Sequence, residues 1–266
     1  MKKHKTLNLI LTILGLLVWV FSVVFVSQLV VAYILVALVG KTEIDTPLWT
    51  SVYSAVVYIL ALFVIVFVPL AIQNRQIKGK NKKKKKPEKE EKALSPTEIR
   101  SDLGIEGLPT WTDIGLGPIG FIVSFILAAL LVGLFTMFPW FDAEEVQDVG
   151  YTFMAPGFDR FLAFFILCVV APIAEETIFR GWLYTKLRDH LNKRVSDFWG
   201  IVISSLLVSI LFGLIHLQWN VGVNVFALSI VLCALREITG TVYAGILTHM
   251  IKNGVAFYIV YVLGVL

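Results

Sequence analysis

Long apolar stretches alternate with short polar segments along the chain, and this pattern predicts membrane-spanning helices. A helix needs about 20 apolar residues to cross ~30 Å of hydrocarbon at ~1.5 Å per residue. Seven stretches are apolar and of roughly that length: 7–39, 48–72, 116–140, 161–180, 198–216, 221–235 and 242–265. We therefore predict an all-α fold, a polytopic transmembrane helix bundle with about seven to eight spanning helices. The eighth helix arises if Asn253-Gly254 breaks the last stretch.

The composition excludes a soluble enzyme. The chain of 266 residues is 58% hydrophobic and only 16% charged, whereas soluble domains average about 45–50% apolar and about 25% charged residues. Its net charge of +4 does not indicate nucleic-acid binding, because the basic residues lie in loops beside apolar stretches, as they do on cytoplasmic flanks. The first stretch is too long for the core of a cleaved signal peptide.

Charge placement predicts the topology and three regions. Basic segments at 1–5, 74–100 and 186–194 alternate with the segments 41–47 and 141–148, so we place the N-terminus in the cytoplasm. Residues 1–73 are predicted to form two N-terminal transmembrane helices. Residues 74–115 are predicted to be a basic cytoplasmic linker, disordered or loosely helical, that contacts anionic lipid. Residues 116–266 are predicted to form the remaining bundle.

Charged side chains cluster in the later stretches, whereas the first two contain none. Such residues within a membrane are costly and usually mark function or pair with one another. In APIAEETIFRGWLY, Glu176 and Arg180 have the i,i+4 spacing of an ion pair. Glu175 lies about 100° around the same helix, so its carboxylate can face a cavity and act as a general base on water. A purely architectural ion-pair cluster is the alternative.

Two further groups of polar residues follow this cluster. Phe212-Gly213-Leu214-Ile215-His216 ends an apolar run in a histidine, which on its own could be an ordinary interfacial residue. His249 and Asn253 are i,i+4 neighbours and could donate hydrogen bonds to a developing oxyanion, or link helices by hydrogen bonds. Lys252 could extend its ammonium group to the interface or pair with a carboxylate.

The three motifs, E-E-x-x-x-R, F-x-x-x-H and H-x-x-x-N in this order, resemble the CPBP family, which contains CAAX proteases and bacteriocin-processing enzymes and is also called the Abi family. The resemblance extends from Phe161 to the C-terminus and includes the glycine directly after Arg180. It implies an intramembrane endopeptidase whose catalytic helix bundle is residues 116–266. By motif position, Glu175 would be the water-activating base with His216 assisting.

The resemblance also assigns the remaining motif residues. His249 and Asn253 would stabilise the tetrahedral oxyanion. Glu176 and Arg180 would be supporting residues that hold the first carboxylate in place.

Two mechanisms stay open. Glu175, His216 and His249 would form a workable Zn²⁺ set, and the family is often labelled metalloprotease. A water activated directly by Glu175 and His216 would need no metal.

The resemblance implies a peptide or membrane-protein tail as substrate, cleaved at or near the bilayer, with no nucleic-acid partner. The lysine-rich, short-looped sequence is typical of a bacterial cell-membrane protein, in which we expect bacteriocin or pheromone maturation or self-immunity rather than CAAX processing. A non-catalytic immunity or scaffold protein of the same fold is the alternative. The sequence carries no prediction of oligomeric state.

The predicted boundaries leave a difficulty of depth. Glu175 would lie roughly 20 Å along its helix towards the cytoplasmic side, and His216 ~27 Å along the next helix towards the outer side. For the two to meet, the helix of Glu175 must begin deeper, or that of His216 must tilt or start below the membrane surface.

Overall fold

The computed structural model describes residues 2–83, 95–143, 151 and 156–264. It is 84% helical, and these residues contain no strand, which confirms the all-α prediction. Seven helices within the described residues are long and apolar enough to cross a membrane: Thr6–Val39, Pro47–Ile77, Trp111–Phe135, Phe158–Leu191, Asp197–Leu214, Trp219–Thr239 and Tyr243–Val262. The chain is therefore a multi-pass membrane protein with a polytopic bundle.

The N-terminal region forms a helical hairpin. Helix α1 (Lys2–Val39) is followed by the single turn α2 (Lys41–Ile44). Helix α3 begins with Pro47–Leu62, passes through a π-helical turn at Phe63–Phe67 and continues over Val68–Lys83. The second span thus extends well into the polar sequence that follows it.

The predicted linker is more structured than the sequence suggested. Its residues 84–94 lie outside the described residues, but helix α4 (Pro96–Leu103) lies inside it. Ser95 caps this helix, since its hydroxyl accepts from the amide of Glu98 and the Glu98 carboxylate accepts from the amide of Ser95. Gly104 ends it with a positive φ of 68°, a conformation that glycine adopts without cost.

Helix α5 (Trp111–Phe135) also begins inside the predicted linker. Thr110 and Asp113 form a second capping box at its start, with contacts of 2.8 and 3.2 Å. The other oxygen of Asp113 accepts from the hydroxyl of Thr241 at 2.7 Å. The end of the linker is therefore fixed to the turn before the last helix, and α4 and the start of α5 have the helical one of the two predicted states.

Within the described residues, four spanning helices follow α5 in the C-terminal bundle: α6 (Phe158–Leu191), α7 (Asp197–Leu214), α8 (Trp219–Thr239) and α9 (Tyr243–Val262). Helix α6 includes two π-helical turns, Ile166–Val170 and Thr177–Tyr184. Helix α9 continues through Asn253-Gly254 without the break that would have produced an eighth span. The predicted acidic loop 141–148 lies outside the described residues from position 144 onward.

Helices α6 and α7 form an antiparallel hairpin that places Glu175 and His216 at similar depth. A salt bridge of 2.8 Å between Arg188 and Asp197 closes the hairpin. Glu175 lies 16 residues before the end of α6, and His216 lies 19 residues after the start of α7. The predicted difference in depth is therefore wrong. Helix α6 has 34 residues and is about 51 Å long. It is therefore longer than the ~30 Å hydrocarbon layer is thick, and its first residue does not mark the membrane surface.

Small residues bring α5 close to α9. A Cβ atom on Gly120 would lie only 2.5 Å from the hydroxyl oxygen of Thr248. The same hydroxyl donates to the carbonyl oxygen of Gly117 at 2.9 Å. Close approach at small residues is a common way for membrane helices to pack. Here it fixes the position of His249, the residue after Thr248.

Candidate active site

The two glutamates lie in the middle of α6, on a short α-helical stretch between its π-helical turns. This stretch is Ala171–Glu176. Such turns change the helical register and occur frequently at functional sites. Glu176 is fully buried, whereas the Glu175 side chain is 14% exposed. The two neighbouring carboxylates thus face different surroundings, as their angular separation on a helix predicts.

Glu176 is the centre of a buried charged cluster. Its Oε1 accepts from Nη1 of Arg180 at 2.9 Å, so the i,i+4 ion pair is present. The same oxygen accepts from Nδ1 of His249 at 3.1 Å. Among the described residues, Oε2 has no hydrogen-bond partner and lies beside Gly245, where a Cβ atom would approach it to 3.1 Å. Glu176 therefore holds His249, whereas its predicted role was to hold Glu175.

The Phe212 ring lies between the charged cluster and His216. The Arg180 guanidinium lies 4.7 Å from the ring centroid, a cation–π distance. The same ring contacts His216 edge-on at 5.1 Å and His249 at 6.0 Å between centroids. The phenylalanine of F-x-x-x-H thus packs directly against the charged and histidine groups of the other motifs.

His216 is oriented by the end of its own helix. Its Nδ1 lies 2.7 Å from the carbonyl oxygen of Phe212, which can only accept a hydrogen bond. The neutral ring therefore carries its proton on Nδ1 and leaves Nε2 as an acceptor. Leu217, the next residue, has a positive φ of 57°, which is unfavourable for a residue with a side chain. This sharp turn starts the connection to α8.

A cavity of about 400 Å³ brings the predicted catalytic side chains together. Its lining includes all four of them, Glu175, His216, His249 and Asn253. Nε2 of His249 lies 3.8 Å from Oε2 of Glu175. Asn253 donates through Nδ2 to the carbonyl oxygen of Leu167 at 2.9 Å, in the first π-helical turn of α6.

Four further polar residues line the same cavity: Tyr58, Asn224, Lys252 and Tyr261. Lys252 lines the cavity together with Glu175. Its pairing with a carboxylate stays a prediction. Tyr58 comes from α3, and its hydroxyl donates to Oε1 of Glu175 at 2.9 Å. Sequence reasoning missed Tyr58, because a tyrosine in an apolar span carries no motif.

The geometry does not provide the three-residue zinc site suggested by Glu175, His216 and His249. Among the described residues, no three His, Cys, Asp or Glu side chains are grouped so that they could hold a metal ion. In both histidines Nδ1 already makes a hydrogen bond, so only Nε2 would be available as a donor to a metal. The zinc alternative stays a prediction.

The fold and the site define a multi-pass membrane protein with a polar cavity inside its helix bundle. Residues 157–255, from the start of α6 into α9, match the family model described as Rce1-like, type II CAAX prenyl endopeptidase. This match, over 99 of the 266 residues, agrees with the resemblance to CAAX proteases that the three motifs carry. No curated protein and no solved structure matches the chain significantly.

Proposed function

We propose that this protein is an intramembrane endopeptidase that cleaves a peptide bond with a water molecule activated by Glu175. The observation that carries the proposal is the single cavity lined by Glu175, His216, His249 and Asn253. These residues come from α6, α9 and the turn after α7, so the cavity exists only when the bundle is folded. Its place among spanning helices fits cleavage at or near the bilayer.

The orientation of the side chains supports a division of roles in water activation. Glu175 is the general base that removes a proton from water as the oxygen attacks the substrate carbonyl carbon. His216 presents an unprotonated Nε2 and can accept a hydrogen bond from the same water. After attack, the proton held by Glu175 passes to the amine leaving group, and the peptide C–N bond breaks. Atoms and charges then balance with one water consumed.

The other two residues provide donors for the oxyanion. Asn253 uses one N–H of its amide on the carbonyl of Leu167 and has a second to donate. His249 donates through Nε2 only as an imidazolium, because Nδ1–H is held by Glu176. The contact with Glu176 turns Nε2 towards Glu175.

The substrate we propose is a peptide or the tail of a membrane protein, in keeping with the family description. Maturation of a bacteriocin or pheromone, or self-immunity, is the biological setting we propose for it. The membrane would be the bacterial cell membrane, with the N-terminus on the cytoplasmic side.

The proposal is tested with purified protein in liposomes. Precursors of short secreted peptides and C-terminal membrane tails, each with and without a prenyl group, are incubated with the enzyme, and products are identified by mass spectrometry. We expect one class to be cleaved. We expect His249→Ala to lower turnover of that peptide about a hundred- to thousand-fold, as loss of an oxyanion donor does.

His190→Ala is the matched control for this variant. Nδ1 of His190 is bonded to the backbone carbonyl of Lys186, and this residue lies near the end of α6 and does not line the cavity. We expect it to cleave at the wild-type rate. Full activity of a correctly inserted His249→Ala protein would contradict the assigned role.

Chelation separates the two mechanisms. Because the described residues offer no three-residue metal set, we expect the cleavage rate to be unchanged after treatment with EDTA or 1,10-phenanthroline and removal of the chelator. Elemental analysis of the active protein is the parallel measurement. Activity that is lost on chelation and restored by Zn²⁺ alone would establish the metal mechanism instead.

A further inference from the structure

Tyr58 connects the N-terminal hairpin to the proposed base. The residue lies on α3, about 100 residues before the segment that matches the family, and it lines the cavity. Its hydroxyl donates to Oε1 of Glu175 at 2.9 Å. Within the described part of the chain, Tyr58 is the side chain that donates a hydrogen bond to Glu175. The base is thus oriented by a helix outside the three motifs.

Helix α3 is itself held firmly against α6. The hydroxyl of Ser51 lies 2.8 Å from the phenol oxygen of Tyr151 in a buried hydrogen bond, and Tyr151 precedes α6. Val57 and Ala61, which lie beside Tyr58 on the same helix, are only 7% and 3% exposed. The Tyr58 ring therefore reaches Glu175 from a backbone that is fixed on both sides of it.

We propose that Tyr58 is a positioning residue for Glu175, a role that rests on the proposed function. The terminal torsion of a glutamate is broad and roughly two-fold, so an unrestrained carboxylate rotates easily. Donation from Tyr58 to Oε1 selects one orientation, in which Oε2 points towards His249 at 3.8 Å and is free to accept the proton of water. The N-terminal hairpin is then part of the active site as well as a membrane anchor.

Tyr58→Phe tests this role because it removes the hydroxyl and keeps the ring. In the liposome assay we expect kcat to fall about ten- to hundred-fold, the size expected for a hydrogen bond to a charged group. KM should stay at the wild-type value, because the hydroxyl acts on the base. The thermal midpoint of the variant should stay close to that of the wild type, since the buried contacts of α3 remain.

Tyr53→Phe is the control on the same helix. Tyr53 donates to the carbonyl oxygen of Gln28 at 3.5 Å and does not line the cavity. We expect this variant to keep the wild-type kcat and KM. A lowered thermal midpoint of Tyr58→Phe with unchanged kcat would show a merely structural hydroxyl and overturn the positioning role.

Glu175→Gln separates failure of this inference from failure of the proposed function. If Glu175→Gln is inactive while Tyr58→Phe has the wild-type kcat, only the positioning role is overturned. If Glu175→Gln cleaves at the wild-type rate, both the endopeptidase mechanism and the role of Tyr58 are overturned.

Discussion

Glu175→Gln is expected to abolish cleavage almost completely, with a fall in kcat of about a hundred- to ten-thousand-fold, the range for loss of a general base. The amide keeps the size of the side chain, and its carbonyl oxygen can still accept from Tyr58. It cannot remove a proton from water. The cavity and its hydrogen bonds therefore persist while the chemistry stops. The measurement is the rate of peptide cleavage in liposomes together with the thermal midpoint of the purified variant.

Glu106→Gln provides the comparison for this variant. Glu106 is an exposed carboxylate in the segment between α4 and α5, and it does not line the cavity. The same chemical change there should leave kcat unaffected. If the Glu175→Gln protein is inserted and stable and still cleaves at the rate of the Glu106→Gln protein, then Glu175 is not the base.

The fold could be predicted because hydrophobic length alone decides which helices span a bilayer. Seven stretches were predicted, and seven described helices meet the same criterion. Local signals decided where the spans extend further. The sequences S-P-T-E at Ser95 and T-W-T-D at Thr110 have the spacing of capping boxes. Each starts a helix within a segment predicted to be disordered or loosely helical. Composition averaged over that segment obscured them.

Much of the site could also be predicted, because side chains four residues apart on a helix share a face. That rule indicated the pair of Glu176 with Arg180 and the common direction of His249 and Asn253, and the structure has both. It does not show which helices meet. The contact of Glu176 with His249 joins residues 73 positions apart, and that of Tyr58 with Glu175 joins residues 117 apart. No local pattern specifies such pairs.

The π-helical turns explain part of this limit. Regular helical spacing assigns each residue of α6 a direction, but the turns at Ile166–Val170 and Thr177–Tyr184 change the register on either side of Glu175. The carbonyl of Leu167, in the first of these turns, accepts the hydrogen bond from Asn253. The apolar sequence of this turn contains no signal that would have indicated it.

Arg180→Met is expected to destabilise the fold more than any single change at the cavity rim. Arg180 is 1% exposed and Glu176 fully buried, so removing the guanidinium leaves a buried carboxylate without its main counter-charge. Breaking a buried pair in this way costs about 3–5 kcal/mol. The cation–π contact with Phe212 is lost as well. We expect a large fall in the thermal midpoint in detergent, and with it loss of activity as the bundle that forms the cavity unfolds.

Two comparisons decide whether the charge is the cause. Arg194→Met changes an exposed arginine in the turn after α6, and its effect should lie within about 0.5 kcal/mol. The double variant Glu176→Gln/Arg180→Met removes both charges and should recover most of the lost stability, because a buried pair can often be replaced by neutral groups at little cost. Its kcat should stay below wild type, because the neutral amide that replaces the Glu176 carboxylate accepts a weaker hydrogen bond from His249 and holds the ring less firmly. A double variant no more stable than Arg180→Met would instead assign the loss to packing around Phe212.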